Sequence, residues 1–174
     1  DLVLDHPLQR RSQQWTLEQK SNLIRRILQK GEILPLIVCT QRDENGCEVN
    51  YLIDGIQRVT TICEFMMDVF AISKNTRDAK VSYDGILYQT RQTKTGKFAL
   101  KKDRNKCLIP ILDIEGKQQK AVQEIDIRGL KWSSLPPELQ KRILYYPINI
   151  IYKHNCTDED IQTEILDLNS GTAM

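Results

Sequence analysis

Apolar and polar positions recur along this chain with two periods, and each change of period marks an element. In WTLEQKSNLIRRILQKGEI, Leu17, Leu23, Ile24, Ile27 and Leu28 share one helical face, with Thr16 as a candidate N-cap and Gly31 as a stop. ILPLIVCT then reads as a short strand, QRDENG as a turn and CEVNYLI as a second strand, so a hairpin is expected. Helical spacing returns at Ile56, Val59, Ile62, Cys63 and Met66 and predicts a helix over 56–68. KVSYDGILYQT carries an Asp84-Gly85 pair between alternating residues, which signals a tight hairpin turn. SSLPPELQKRIL predicts a short helix capped by Ser133 or Ser134, and YPINIIYKH a buried strand. DEDIQTEILDL predicts a last helix, capped by Thr157, with Ile161, Ile165 and Leu168 toward the core. No internal repeat and no low-complexity linker is visible.

Composition narrows the class without naming a function. At 174 residues and 20.2 kDa the chain suits one well-buried core, so a single domain over 1–174 is expected. A balance of 25 basic against 23 acidic residues, net +2, neither demands nor excludes nucleic acid. No apolar run approaches a membrane span, and DLVLDHPLQRR has no signal-peptide pattern, so a cytoplasmic protein without a membrane partner is expected. A start without Met and an end at NSGTAM read as an excised fragment that hides a partner domain. The five cysteines are scattered, with no CxxC pair, which favours reduced thiols over a disulfide framework. Cys39 and Cys63 fall within apolar patterns and read as small apolar residues. With only His6 and His154, neither a zinc site nor a His-Asn-His nuclease site is expected.

The run Arg91 to Lys106, RQTKTGKFALKKDRNK, carries seven basic residues against one acid. It reads either as a loop or hairpin on nucleic-acid phosphates or as a solvated polar insertion. With Phe98 as its one aromatic it lacks a base-stacking surface, which favours the insertion.

The densest chemistry lies in Tyr51 to Phe65, YLIDGIQRVTTICEF, where a strand, a polar turn and a helix start share fifteen residues. Gln57, Arg58, Thr60 and Thr61 fall in the first helical turns, where N–H groups and the helix dipole favour an anion and an arginine can grip phosphate. Asp54 reads equally as an ordinary turn residue or N-cap, and Arg58 as an exposed helix residue.

Read together, HPLQRR, WTLEQKSNLI, LPLIV, LIDGIQRVTTICEF and EILDLNSGTAM resemble the N-terminal domain of GmrSD-type restriction proteins, from about Pro7 to Thr172. That resemblance implies an α+β domain of the ParB/sulfiredoxin-like fold, a small mixed sheet with flanking helices. The family's Asp-Gly-Gln-Gln-Arg motif stands here as Asp54, Gly55, Ile56, Gln57 and Arg58, with Ile56 in place of the first Gln. An inward Ile56 simply packs, whereas at a nucleotide contact it would impair activity. By the resemblance, Arg58 binds phosphate, Gly55 lets the backbone approach, and Asp54 positions Mg²⁺ or water. Gln9 and Arg10 of HPLQRR would add donors, and Asn169 of LDLNSGTAM would end a helix near the pocket. A solvated arm and a plain helix C-cap are the plainer readings of those two segments. No Cys stands in the Asp54 to Arg58 turn, which argues against sulfiredoxin-like thiol chemistry.

The function so implied is binding and Mg²⁺-dependent hydrolysis of a nucleoside triphosphate within a DNA-directed restriction or phage protein. Its partners would be nucleotide, DNA and a separate C-terminal nuclease domain, with room for a homo-oligomer. A nucleic-acid-binding module without turnover and a regulatory protein-interaction domain are the rivals.

Overall fold

Leu23, Ile24, Ile27 and Leu28 are buried on one face of α1 (Leu17–Leu28) in the computed structural model, which describes residues 2–4 and 14–169. Thr16 caps α1 reciprocally: its hydroxyl accepts from Gln19 N–H, and the Gln19 side chain accepts from Thr16 N–H. Leu17 belongs to the first turn, before the helix reaches the core, and is exposed rather than buried. The chain leaves α1 through Lys30, whose φ is 60°, so the left-handed turn falls one residue before the expected Gly31.

A mixed four-stranded sheet supports the site. β1 (Leu2–Val3), β2 (Leu36–Arg42), β3 (Glu48–Asp54) and β8 (Ile150–Lys153) lie in the order β1-β3-β2-β8. β2 and β3 form the expected antiparallel hairpin, whose turn is tied by Asp43 Oδ1 accepting from Asn45 and Cys47 N–H. β1 runs parallel to β3, and β8 parallel to β2. β8 was expected to be buried; it is an edge strand with all four residues exposed.

α2 (Ile56–Met66) follows β3, and its buried stripe differs from the expected one. Arg58, Thr61 and Phe65 are buried, Ile56, Val59, Ile62 and Met66 are half-buried, and Cys63 is exposed. Phe65 anchors the main core, with Phe70 at 5.4 Å and Trp132 edge-on at 6.5 Å between ring centres. α3 (Pro137–Leu144) closes that core with Leu139 and Ile143, and starts at Pro136 without a side-chain cap, so neither Ser133 nor Ser134 caps it. Those serines lie in a 3-10 turn, Trp132–Ser134. α4 (Asp158–Asn169) is capped by Thr157 and buries Ile161, with Ile165 half-buried against Ile53; Leu168 stays exposed.

The Asp84-Gly85 pair makes no turn. β4 (Lys80–Ile86) runs straight through it, paired antiparallel with β7 (Lys120–Asp126) from Lys80↔Asp126 to Ile86↔Lys120. A side chain at Gly85 would meet Gln123 and Tyr83 at 2.8 Å, so Gly85 makes room for the cross-strand Gln123. Between β4 and β7 the chain projects a branched set of short hairpins, the first built from β5 (Thr90–Gln92) and β6 (Phe98–Leu100). The architecture is α+β, as expected.

Candidate functional site

Asp54 is the last residue of β3, and Gly55 turns the chain into α2 with φ 103° and ψ 6°. That conformation favours glycine. Space demands it as well: a Cβ at Gly55 would lie 2.2 Å from Leu36 Cδ2 and 3.1 Å from Arg58 Nη2. The first turn of α2 therefore sits directly on the start of β2, and Arg58 lies under the joint.

Arg58 Nη2 donates to Asp54 Oδ2 at 2.5 Å and to the Pro35 carbonyl at 3.0 Å. The Arg58 side chain is 10% exposed and that of Asp54 35%, so the pair lies at the rim of the joint with the carboxylate on its outer side. Arg58 Nε is buried without a partner among the described residues. No side chain caps α2, so its N-terminal N–H groups and its dipole are aimed past Gly55. The joint combines a buried cation, a reachable carboxylate and an uncapped helix start.

The remaining motif residues go elsewhere. Ile56, which replaces the family's Gln, packs with Val59 on Leu36, Val38 and Leu52, so the departure from the motif is a packing residue. Gln57 Oε1 accepts from Trp15 N–H at 3.3 Å and ties α2 to the segment that enters α1. Thr60 is exposed. Thr61 is fully buried, with its hydroxyl unpartnered among the described residues. Gln9 and Arg10 lie outside the described residues, and Asn169 closes α4 with its side chain outside them too. Of the expected set, the structure thus brings Asp54, Gly55 and Arg58 together. Sequence reasoning missed Pro35, just before β2, and Leu36, its first residue, which reach the joint through long-range packing that leaves no local signal.

Among the described residues, no group of three or more His, Cys, Asp or Glu side chains gathers where it could hold a metal ion. An open cavity of about 440 Å³ lies beside Gly31, Glu32, Arg142, Tyr145 and Asn149, and includes neither Asp54 nor Arg58. Arg142 there is committed to the carbonyls of Leu28 and Ser82, and burial lowers its pKa. No described helix is long and apolar enough to cross a membrane.

The family described as GmrSD restriction endonuclease, N-terminal domain, matches the chain over residues 4–170. No curated protein and no solved structure matches it.

Proposed function

The chain belongs to the family of GmrSD restriction endonuclease N-terminal domains, and on that premise we propose that the joint between β3 and α2 binds the phosphates of a nucleoside triphosphate and promotes its hydrolysis. The observation that carries this reading is the Asp54–Arg58 pair beneath an uncapped helix start. Phosphate oxygens lie against the first turn of α2, where N–H groups and dipole favour an anion, and the Arg58 charge adds to that field from below. Asp54 offsets this charge in the free chain. A bound phosphate competes with Asp54 for the guanidinium, and the carboxylate so loosened orients the attacking water.

The residues fit Mg²⁺ in a limited way. Asp54 offers one partly exposed carboxylate, and among the described residues no further acid joins it in a cluster. One carboxylate suffices for an ion that takes its other ligands from phosphates and water. When bound, Mg²⁺ would neutralise phosphate charge, with Asp54 as its protein ligand. Gln57 would hold the entry to α1 in place through Trp15. In the family's manner, this ParB-like unit would work with a separate C-terminal nuclease domain on DNA.

Phosphate release from the four triphosphates, with and without Mg²⁺, tests the reading. Release by the intact chain that Asp54→Asn slows, in a variant that still binds the nucleotide, supports it. No release from any triphosphate removes the hydrolase claim.

A further inference from the structure

Residues 87–119, between β4 and β7, form a branched tree of hairpins held by two closed rings of main-chain bonds. Leu87 N–H donates to Gln119 O at 2.9 Å, Gln119 N–H to Ile111 O at 2.8 Å, and Ile111 N–H to Leu87 O at 2.8 Å. Farther out, Gln89 N–H donates to Ile109 O at 2.9 Å, Ile109 N–H to Lys101 O at 3.2 Å, and Lys101 N–H to Gln89 O at 2.8 Å. Each ring is a three-way junction at which antiparallel arms meet. Three hairpins leave these junctions with turns at Thr93–Lys97, Asp103–Cys107 and Asp113–Lys117, ten residues apart. In each turn the first residue's N–H donates to the last residue's carbonyl, and Gly96, Lys106 and Gly116 take the positive φ. The geometry repeats with a partial repeat in sequence: Asp opens the second and third turns, and Gly-Lys closes the first and third.

This tree also segregates charge. It holds eight lysines and arginines against three acids, a net of +5, which leaves −3 for the rest of a chain whose total is +2. Asp103 and Asp113 each accept two N–H groups of their own turn, and Glu115 pairs with Lys117 at 2.6 Å. Arg91, Lys94, Lys97, Lys102, Arg104 and Lys106 are exposed and enter no ion pair among the described residues. Arg91 and Lys101 share a face of the first hairpin by its register, Arg91↔Ala99 and Thr90↔Leu100. A solvated insertion needs neither closed junctions nor a segregated charge.

We infer that the three-hairpin arm is a docking surface for the phosphate backbone of duplex DNA. Unpaired cations on a braced frame replace condensed counterions at low ordering cost, which is the sequence-independent part of DNA affinity. Two-stranded ribbons are of a size that a DNA groove admits. Tyr88 and Phe98 are the only aromatics in 87–119, so the arm carries no stacking platform for a single strand. The arm contains neither Asp54 nor Arg58 and its strands belong to other sheets than β3, so the inference stands or falls without nucleotide hydrolysis.

The test measures affinity of the intact chain for a short unmodified duplex, and for one of its strands, across a salt series. Arg91→Gln/Lys97→Gln/Arg104→Gln/Lys106→Gln is compared with Arg42→Gln/Lys74→Gln/Arg77→Gln/Lys141→Gln, which removes equal charge from exposed positions elsewhere. A third variant replaces 88–118 with Asn-Gly and keeps the Leu87–Gln119 bond that closes β4 on β7. The arm variants should lose at least about tenfold in duplex affinity, with the salt slope shallower by about one per lost contact. The control should stay within about threefold of the intact chain. Equal losses in arm and control variants, tighter binding to the single strand, or no duplex binding by the intact chain at low salt would overturn the inference.

Discussion

Asp54 and Arg58 bond at 2.5 Å across the joint between β3 and α2, and the same arginine nitrogen reaches the Pro35 carbonyl at 3.0 Å. One group thus fixes the end of β3, the first turn of α2 and the entry to β2. The pair is structural before it is functional. Removing either partner leaves a partly buried charge or donor unmatched, at a cost of about 1–3 kcal/mol. A double-mutant cycle with Asp54→Asn and Arg58→Met, read by denaturant unfolding, should give a coupling of about 0.5–3 kcal/mol. Additive single effects would mean that the two do not interact.

Gly55→Ala should destabilise the same joint by a different route. Its φ of 103° suits glycine, and the new methyl would fall 2.2 Å from Leu36 Cδ2. Left-handed strain and overpacking together predict a loss of at least about 2 kcal/mol. In a chain of this size that is a fall of roughly 4–8 °C in Tm, measurable by calorimetry. Gly55→Ala/Leu36→Ala should recover part of it, whereas no recovery would place the cost in the backbone alone.

Thiol labelling separates the buried cysteine from the exposed ones. Burial, and next the neighbouring Cys156 thiol, push Cys39 up to about 12, so it stays a protonated thiol at neutral pH. Cys47, Cys63 and Cys107 are exposed and should alkylate in the folded chain within minutes, with Cys39 labelled only after unfolding. Mass spectrometry of timed samples reads this order. Fast labelling of Cys39 in the native chain would contradict the packing of β2.

Acid should weaken the fold below about pH 4. Hydrogen bonds from Arg128 lower Asp126 to about 2, the Ser133 N–H lowers Asp68, and the Thr157 N–H and hydroxyl lower Asp160. Their folded values lie below the ordinary carboxylate range. The stabilisation is therefore complete above that range and is lost as pH falls through the folded values. Tm measured from pH 6 to pH 2 should drop most steeply below about 4, and Asp68→Asn/Asp126→Asn should flatten that drop. An unchanged slope in that variant would place the acid sensitivity elsewhere.

Local patterns carried the elements whose signals are local. The Thr16 cap, the α1 face from Leu23 to Leu28, the β2–β3 hairpin and the strand-turn-helix at Asp54 are all legible from spacing and capping chemistry. Long-range pairing decided the rest. β7 overrides the Asp84-Gly85 turn signal by pairing with β4 throughout, and β8 is exposed because it takes a sheet edge that its apolar composition does not announce. Helical spacing placed Cys63 inside and left Arg58 undecided, whereas α2 buries Arg58 and Thr61 because Asp54 and Pro35 give Arg58 its partners. The run 91–106 reads as a loop or hairpin from sequence, but the junctions that join three hairpins into one tree are main-chain bonds between distant residues and leave no local signal.

The central claim, that phosphates bind at the joint above Arg58, is tested most directly by calorimetric titration of the intact chain and Arg58→Lys with each triphosphate in Mg²⁺. Lysine keeps the charge but not the planar guanidinium, whose Nη2 holds both Asp54 and the Pro35 carbonyl and whose other donors are free for a phosphate. The account predicts saturable binding of at least one triphosphate, weakened about tenfold or more by Arg58→Lys in a chain that calorimetric unfolding shows to be folded. Equal affinity in the two folded chains, or no binding by the intact one, would contradict it.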